Sequence, residues 1–331
     1  MLRVRVDGSQ VRIGRHFSVS FERTLRIPDD GSTYPLPPSL GEFPVRRVCD
    51  YADRVPESWL EHGGVFLPMY QREAMWLSFN APHWRPCAVQ VGVGKVNVIS
   101  GRPWGGQLEA QRQNYVVCPD QPWLDGINAG HGMIRQFVAM PLGMGYTVEG
   151  QVTGKEEFGG LQVAVFDPRP GRFPTQPPRV RHRGGDHFSV CGPVRYSECS
   201  PEMGLAAGGR MRQKIYPDTY GIDSWDPANT GRVFVHLVNS MAWREITGEE
   251  PPATPVSARS YSEHGLPWFD LYDEIEGDVS PAPELVAVKP VKAIDAEKQF
   301  GAQQDDGSVA ISTVHVAMLD TAEDGATVDT P

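Results

Sequence analysis

The sequence lacks any apolar run long enough to cross a bilayer as a helix, which takes about 20 consecutive apolar residues. It also lacks the continuous apolar core of a secretory signal. Met1-Leu-Arg-Val-Arg-Val6 alternates charge and hydrophobe, so a cytoplasmic location is expected. Cysteine is scarce: Cys49, Cys87, Cys118, Cys191 and Cys199 are an odd set with no tight spacing. An odd set cannot all pair within one chain, and we expect free thiols in a reducing compartment. Basic residues number 31 against 41 acidic ones, giving a net charge of −10. This argues against a nucleic-acid partner, which selects a basic surface. No Gly-x-Ser-x-Gly elbow, Cys-x-x-Cys pair or fixed-period repeat is present.

What is present favours strands. The chain holds 35 Gly and 30 Pro, and both residues are unfavourable inside long helices. Leu2, Val4 and Val6 alternate with arginines before Asp7-Gly8, with Val11 and Ile13 beyond, which predicts a hairpin. His16–Ile27, Ala88–Val93, Val96–Ile99, Tyr115–Cys118, Ile134–Met140, Leu161–Phe166 and Val233–Val238 read as further strands. Tyr146, Val148 and Val152 alternate with Thr147, Glu149, Gln151 and Thr153, which predicts the first strand of a hairpin ending at Phe166. Asn239-Ser240 should cap one short helix and Thr254 another. Leu285–Val288 reads as a strand, Ala293–Phe300 as a helix and Val309–Leu319 as a last strand.

The expected fold class is mainly β, sandwich-like, with a few short helices; the alternative is α+β. The expected organisation is a β-rich domain over residues 1–167 and a Pro/Arg-rich linker or exposed loop over 168–183. A mixed β/α region follows over 184–300, then a polar tail over 301–331.

Candidate sites are few. Gly92-Val-Gly-Lys95 lacks the spacing of a phosphate loop and reads as a hairpin turn. His182, Asp186, His187, Cys191 and Cys199 are the densest set of metal-ligand types. They could serve zinc, though their spacing matches no standard zinc module. Asp218, Asp223 and Asp226 lack the order of a calcium loop and read as turn caps. Cys118 is a nucleophile candidate only if the fold brings a histidine to it. The aromatic clusters are more distinctive: Trp123 in Gln121-Pro-Trp-Leu-Asp-Gly126, and Trp268, Phe269 and Tyr272 in Gly265-Leu-Pro-Trp-Phe-Asp-Leu-Tyr272. They either plug the ends of a β sandwich or form a partner-binding surface.

The blocks Gln121-Pro-Trp-Leu-Asp-Gly-Ile127, Arg135-Gln-Phe-Val-Ala-Met-Pro-Leu-Gly-Met-Gly-Tyr-Thr-Val-Glu-Gly-Gln-Val-Thr-Gly154, Arg232-Val-Phe-Val-His-Leu-Val-Asn-Ser240 and Gly265-Leu-Pro-Trp-Phe-Asp270 resemble a group of uncharacterised bacterial and fungal proteins. The resemblance implies one coherent protein and transfers no activity. The functional expectation is a non-catalytic binding or assembly protein, a cytoplasmic scaffold with a protein partner or self-association. No cofactor, nucleic acid or membrane is expected. The alternative is a Cys/His hydrolase or transferase, or a zinc-dependent protein with ligands in 182–199.

Overall fold

The structure, a computed structural model, describes residues 1–176, 202–272, 277–301, 303, 305 and 307–320. It is mainly β, with 38% strand and 17% helix, as the Gly and Pro content and the runs of strand formers predict.

The chain starts as a hairpin, β1 (Val4–Asp7) with β2 (Gln10–Ile13), the turn carried by Gly8 at φ 60°. Long strand β3 (Phe17–Thr24) follows, then the short β4 (Thr33–Tyr34), β5 (Ser39–Glu42) and β6 (Arg46–Arg47). Helix α1 (Glu57–His62) leads to β7 (Val65–Met69), β8 (Ala74–Asn80), β9 (Cys87–Val93) and β10 (Val96–Asn97). The β9–β10 turn places Gly94 at φ 49° and Lys95 at φ 60°, so Gly92–Lys95 is a hairpin turn, as its spacing predicts. Next come β11 (Val116–Cys118), β12 (Trp123–Leu124), β13 (Gly126–Gly130), β14 (Met133–Pro141), helix α2 (Val148–Thr153) and β15 (Leu161–Pro168). The later elements are β16 (Glu202–Arg212), β17 (Trp225–Asn239), α3 (Ser240–Thr247), α4 (Ala258–Glu263), β18 (Trp268–Tyr272), α5 (Pro283–Val286), α6 (Val291–Glu297) and β19 (Val316–Asp320).

The backbone of the fold is one antiparallel succession, β1-β2-β3-β8-β14-β16-β17-β15-β9-β11. The Leu2 N–H donates to the Thr230 carbonyl at 2.7 Å, which returns the start of the chain to β17. The sheet therefore curls around a core containing Val19, Phe21, Leu77, Phe137, Val163 and Val235. Side chains of successive strand residues leave by opposite faces. The other face, with Glu22, Trp76 and Gln136, is largely covered as well. Leu36, Tyr261 and Trp268 pack there with Leu25 and Ile134. This double covering explains why β3 is buried along almost its whole length.

Strand β14 pairs with β16 from Met133 to Pro141, and β15 pairs with β17, so the described strands up to Pro168 and from Glu202 onward share one core.

Three local expectations are corrected. The strand expected from Tyr146 to Thr153 is helix α2. The Thr147 hydroxyl accepts the Gly150 N–H at 3.0 Å, and Gly154 closes the helix at φ 79°. Val148 and Val152, four apart, share a helix face as readily as a strand face. Glu149, expected on a wet face, is buried, and its carboxylate accepts the N–H groups of Glu157, Phe158 and Gly159. The segment expected as strand Leu285–Val288 contributes to α5, where Pro283 occupies the first turn. The second capped helix starts at Ser257, whose hydroxyl accepts the Ser260 N–H, and not at Thr254. The Asn239 cap of α3 is where the sequence predicts it.

Candidate functional site

The candidate site is an aromatic pocket of about 260 Å³ on the covered side of the sheet. Register builds it. Trp123 pairs with Ser78 and Leu124 with Leu77, and Asp125, the residue after β12, lines the same pocket as Trp76 of β8. Trp123 and Asp125 lie two residues apart and share a face. The opposite wall comes from Leu36, Pro37 and Pro38, and from Phe269 on β18. That wall is fastened by main-chain bonds: Leu36 N–H to Phe269 C=O at 2.8 Å, and Phe269 N–H to Leu36 C=O at 3.0 Å. The Thr24 hydroxyl donates to the Pro38 carbonyl, and the Ser39 hydroxyl donates to the Glu22 carboxylate. Leu319 of β19 completes the rim.

At the base lies Asp125, 4% exposed. Gln213 Nε2 donates to Asp125 Oδ2 at 2.8 Å, while the Asp125 N–H donates to Gln213 Oε1 at 3.0 Å. Trp123 also hydrogen-bonds the carboxyl. Burial outweighs these bonds and pushes the carboxyl up to about 7. The Trp76 indole N–H is buried without an acceptor among the described residues. The pocket thus offers aromatic side chains, one orphaned donor and one carboxyl whose pKa burial pushes up to about 7.

The four aromatic candidates divide. Trp123 and Phe269 come together in the pocket, both partly exposed. Trp268 is fully buried and donates to the Ser262 hydroxyl at 3.1 Å; it is a core residue, edge-on to Tyr261. Tyr272 ends β18, opposite Asp320 in the parallel register with β19. Trp76, Asp125 and Leu36 were missed by sequence reasoning. Asp125 does sit inside the Pro-Trp-Leu-Asp-Gly block, and a polar residue two positions from an aromatic on a strand was the available signal.

The candidate metal ligands His182, Asp186, His187, Cys191 and Cys199 lie outside the described residues. Among the described residues no group of three or more His, Cys, Asp or Glu could hold a metal ion. Cys118 is buried opposite Cys87, and its thiol donates to the Gln121 carbonyl. Burial raises the pKa of both thiols, which disfavours the thiolate a nucleophile needs. Asp218 acts as a turn cap and anchor. It accepts the Tyr115 hydroxyl, the Trp225 indole N–H and the N–H groups of Tyr220 and Gly221. Among the described residues no helix is long and apolar enough to cross a membrane. No protein-family model, curated protein or solved structure matches the chain.

Proposed function

We propose that this is a non-catalytic binding protein whose aromatic pocket captures an alkylammonium group. The group belongs either to a small organic cation or to a lysine-type side chain of a protein partner. The observation that carries the reading is the buried Asp125 carboxyl in a pocket lined by the indoles of Trp76 and Trp123. A ring face attracts a cation by about 0.5–1 kcal/mol at an exposed site and by about 2 kcal/mol when desolvated. A buried carboxyl near neutrality gains a counter-ion by exchanging its proton for the ligand's charge.

The partner form draws support from the neighbouring strand β19. It adds Leu319 to the rim and exposes Met318, with Val314 exposed just before it. Exposed apolar residues beside a pocket suit a partner surface. The three described cysteines, Cys49, Cys87 and Cys118, are free thiols, which supports action in a reducing cytoplasm.

Calorimetric titration with tetramethylammonium and with a trimethyl-lysine peptide tests the reading and separates the two sources. Both probes should bind. A neutral tert-butyl analogue of the same shape should bind at least about tenfold more weakly. Equal binding of the neutral analogue refutes the cation, and no binding of any probe refutes the pocket.

A further inference from the structure

A second cleft, of about 500 Å³, shares no lining residue with the aromatic pocket. It forms over a row in which Phe234 of β17, Gln162 of β15 and Gly92 of β9 are neighbours across the sheet. Gly92 makes the depression. A Cβ there would stand 2.6 Å from Trp104 Cε3, so only glycine lets the indole approach the strand this closely. Trp104 is also held by its N–H to the Lys95 carbonyl at 2.8 Å.

Two cations share this cleft. Lys95 sits at the hairpin turn, its N–H donating to Gln162 Oε1 at 2.8 Å and its Nζ 3.6 Å from the centre of the Phe158 ring. Arg232 projects exposed from β17, two residues before Phe234. Among the described residues neither forms an ion pair. In a chain of net charge −10, carboxylates to pair with are abundant, so two unpaired cations in one concavity are a distinctive feature. Glu61 is the one carboxylate on the lining, and His62, packed against Phe234 at 4.9 Å between ring centres, forms the far wall.

We infer that this cleft binds a planar aromatic anion, with its ring against Trp104 and its phosphate or carboxylate between Lys95 and Arg232. The cations supply charge-assisted hydrogen bonds, Arg232 in a fork that suits two oxygens. The indole supplies a stacking face. The Gly-Lys pair that fails as a phosphate loop thereby presents a lysine to an anion from a hairpin turn.

The test is titration calorimetry with phenyl phosphate and benzoate, against methyl phosphate and benzyl alcohol, on the full chain. Phenyl phosphate or benzoate should bind, and the weaker of these two identifies the disfavoured anionic group. Methyl phosphate should bind more weakly than phenyl phosphate, and benzyl alcohol not at all. Arg232→Met and Lys95→Asn should each weaken the aromatic anion about tenfold. Asparagine tolerates the left-handed backbone at position 95, and Arg232 is exposed, so both variants should melt with the wild type. Trp104→Leu should abolish the preference for phenyl over methyl phosphate. Three results would overturn the assignment: no aromatic anion binding at millimolar concentration, affinity indifferent to both charge removals, or benzyl alcohol binding as well as phenyl phosphate.

Discussion

Replacing Asp125 with Asn tests the base of the aromatic pocket most directly, because the two side chains have the same shape and differ in titration. Burial lifts the Asp125 carboxyl from its ordinary 3.8 to about 7. The folded chain therefore keeps a proton that the unfolded chain has released between those values. Stability from this group is complete below about pH 4 and falls as pH rises toward 7. A difference of about three pH units corresponds to ~4 kcal/mol. Below pH 4 the buried acid and the amide are both neutral and both carry a donor. Wild type and Asp125→Asn should then agree within ~1 kcal/mol. Above pH 7 the variant should be the more stable by up to ~4 kcal/mol. Glu73, also pushed to about 7 by burial despite its ion pair with Arg23, keeps its own slope in both proteins. The informative quantity is thus the difference between the two proteins, read from urea unfolding at half-unit steps from pH 4 to 8. Two parallel curves would mean that Asp125 is ionised throughout, and the counter-ion argument would fall with the pocket chemistry. Where the curves do diverge, alkylammonium binding by the wild type should strengthen as pH rises through 7, and the variant should have lost it at least about tenfold.

Three further outcomes follow from particular contacts. Glu149→Lys should destabilise by ~3 kcal/mol or more in chemical denaturation, since three backbone N–H groups lose their acceptor and a buried cation replaces it; a change under ~0.5 kcal/mol would mean the residue faces water. Thiol labelling of the native protein followed by peptide mapping should modify exposed Cys49 quickly and buried Cys87 and Cys118 only on unfolding; fast labelling of Cys118 would refute its burial. Trp268→Ala should cost ~3–5 kcal/mol as a core truncation, whereas Trp123→Ala should cost much less and abolish ligand binding, as paired thermal melts and titrations would show.

The chain's own residue order determined a good deal. Alternation around Asp7-Gly8 placed β1–β2, and short runs of strand formers bounded by turn residues placed β9, β10, β14 and β15. Glycine and aspartate at Asp7-Gly8 and Gly94-Lys95 determined the tight turns, and Asn239 the start of α3, because these depend on chemistry within four residues. Where local signals competed, the fold decided. Residues 146–153 satisfy both a strand and a helix, and the balance went to the Thr147 cap together with the distant anchorage of Glu149 in 157–159. The aromatic candidates were legible as a class, but nothing local distinguishes Trp123 from Trp268. One meets a cavity and the other a core because Leu36 pairs with Phe269 across more than 230 residues of chain. Asp125 owes its raised pKa, and Lys95 and Arg232 their shared cleft, to strands far apart in sequence. Desolvation and convergence are properties of three-dimensional surroundings, and a one-dimensional pattern has no means of writing them down.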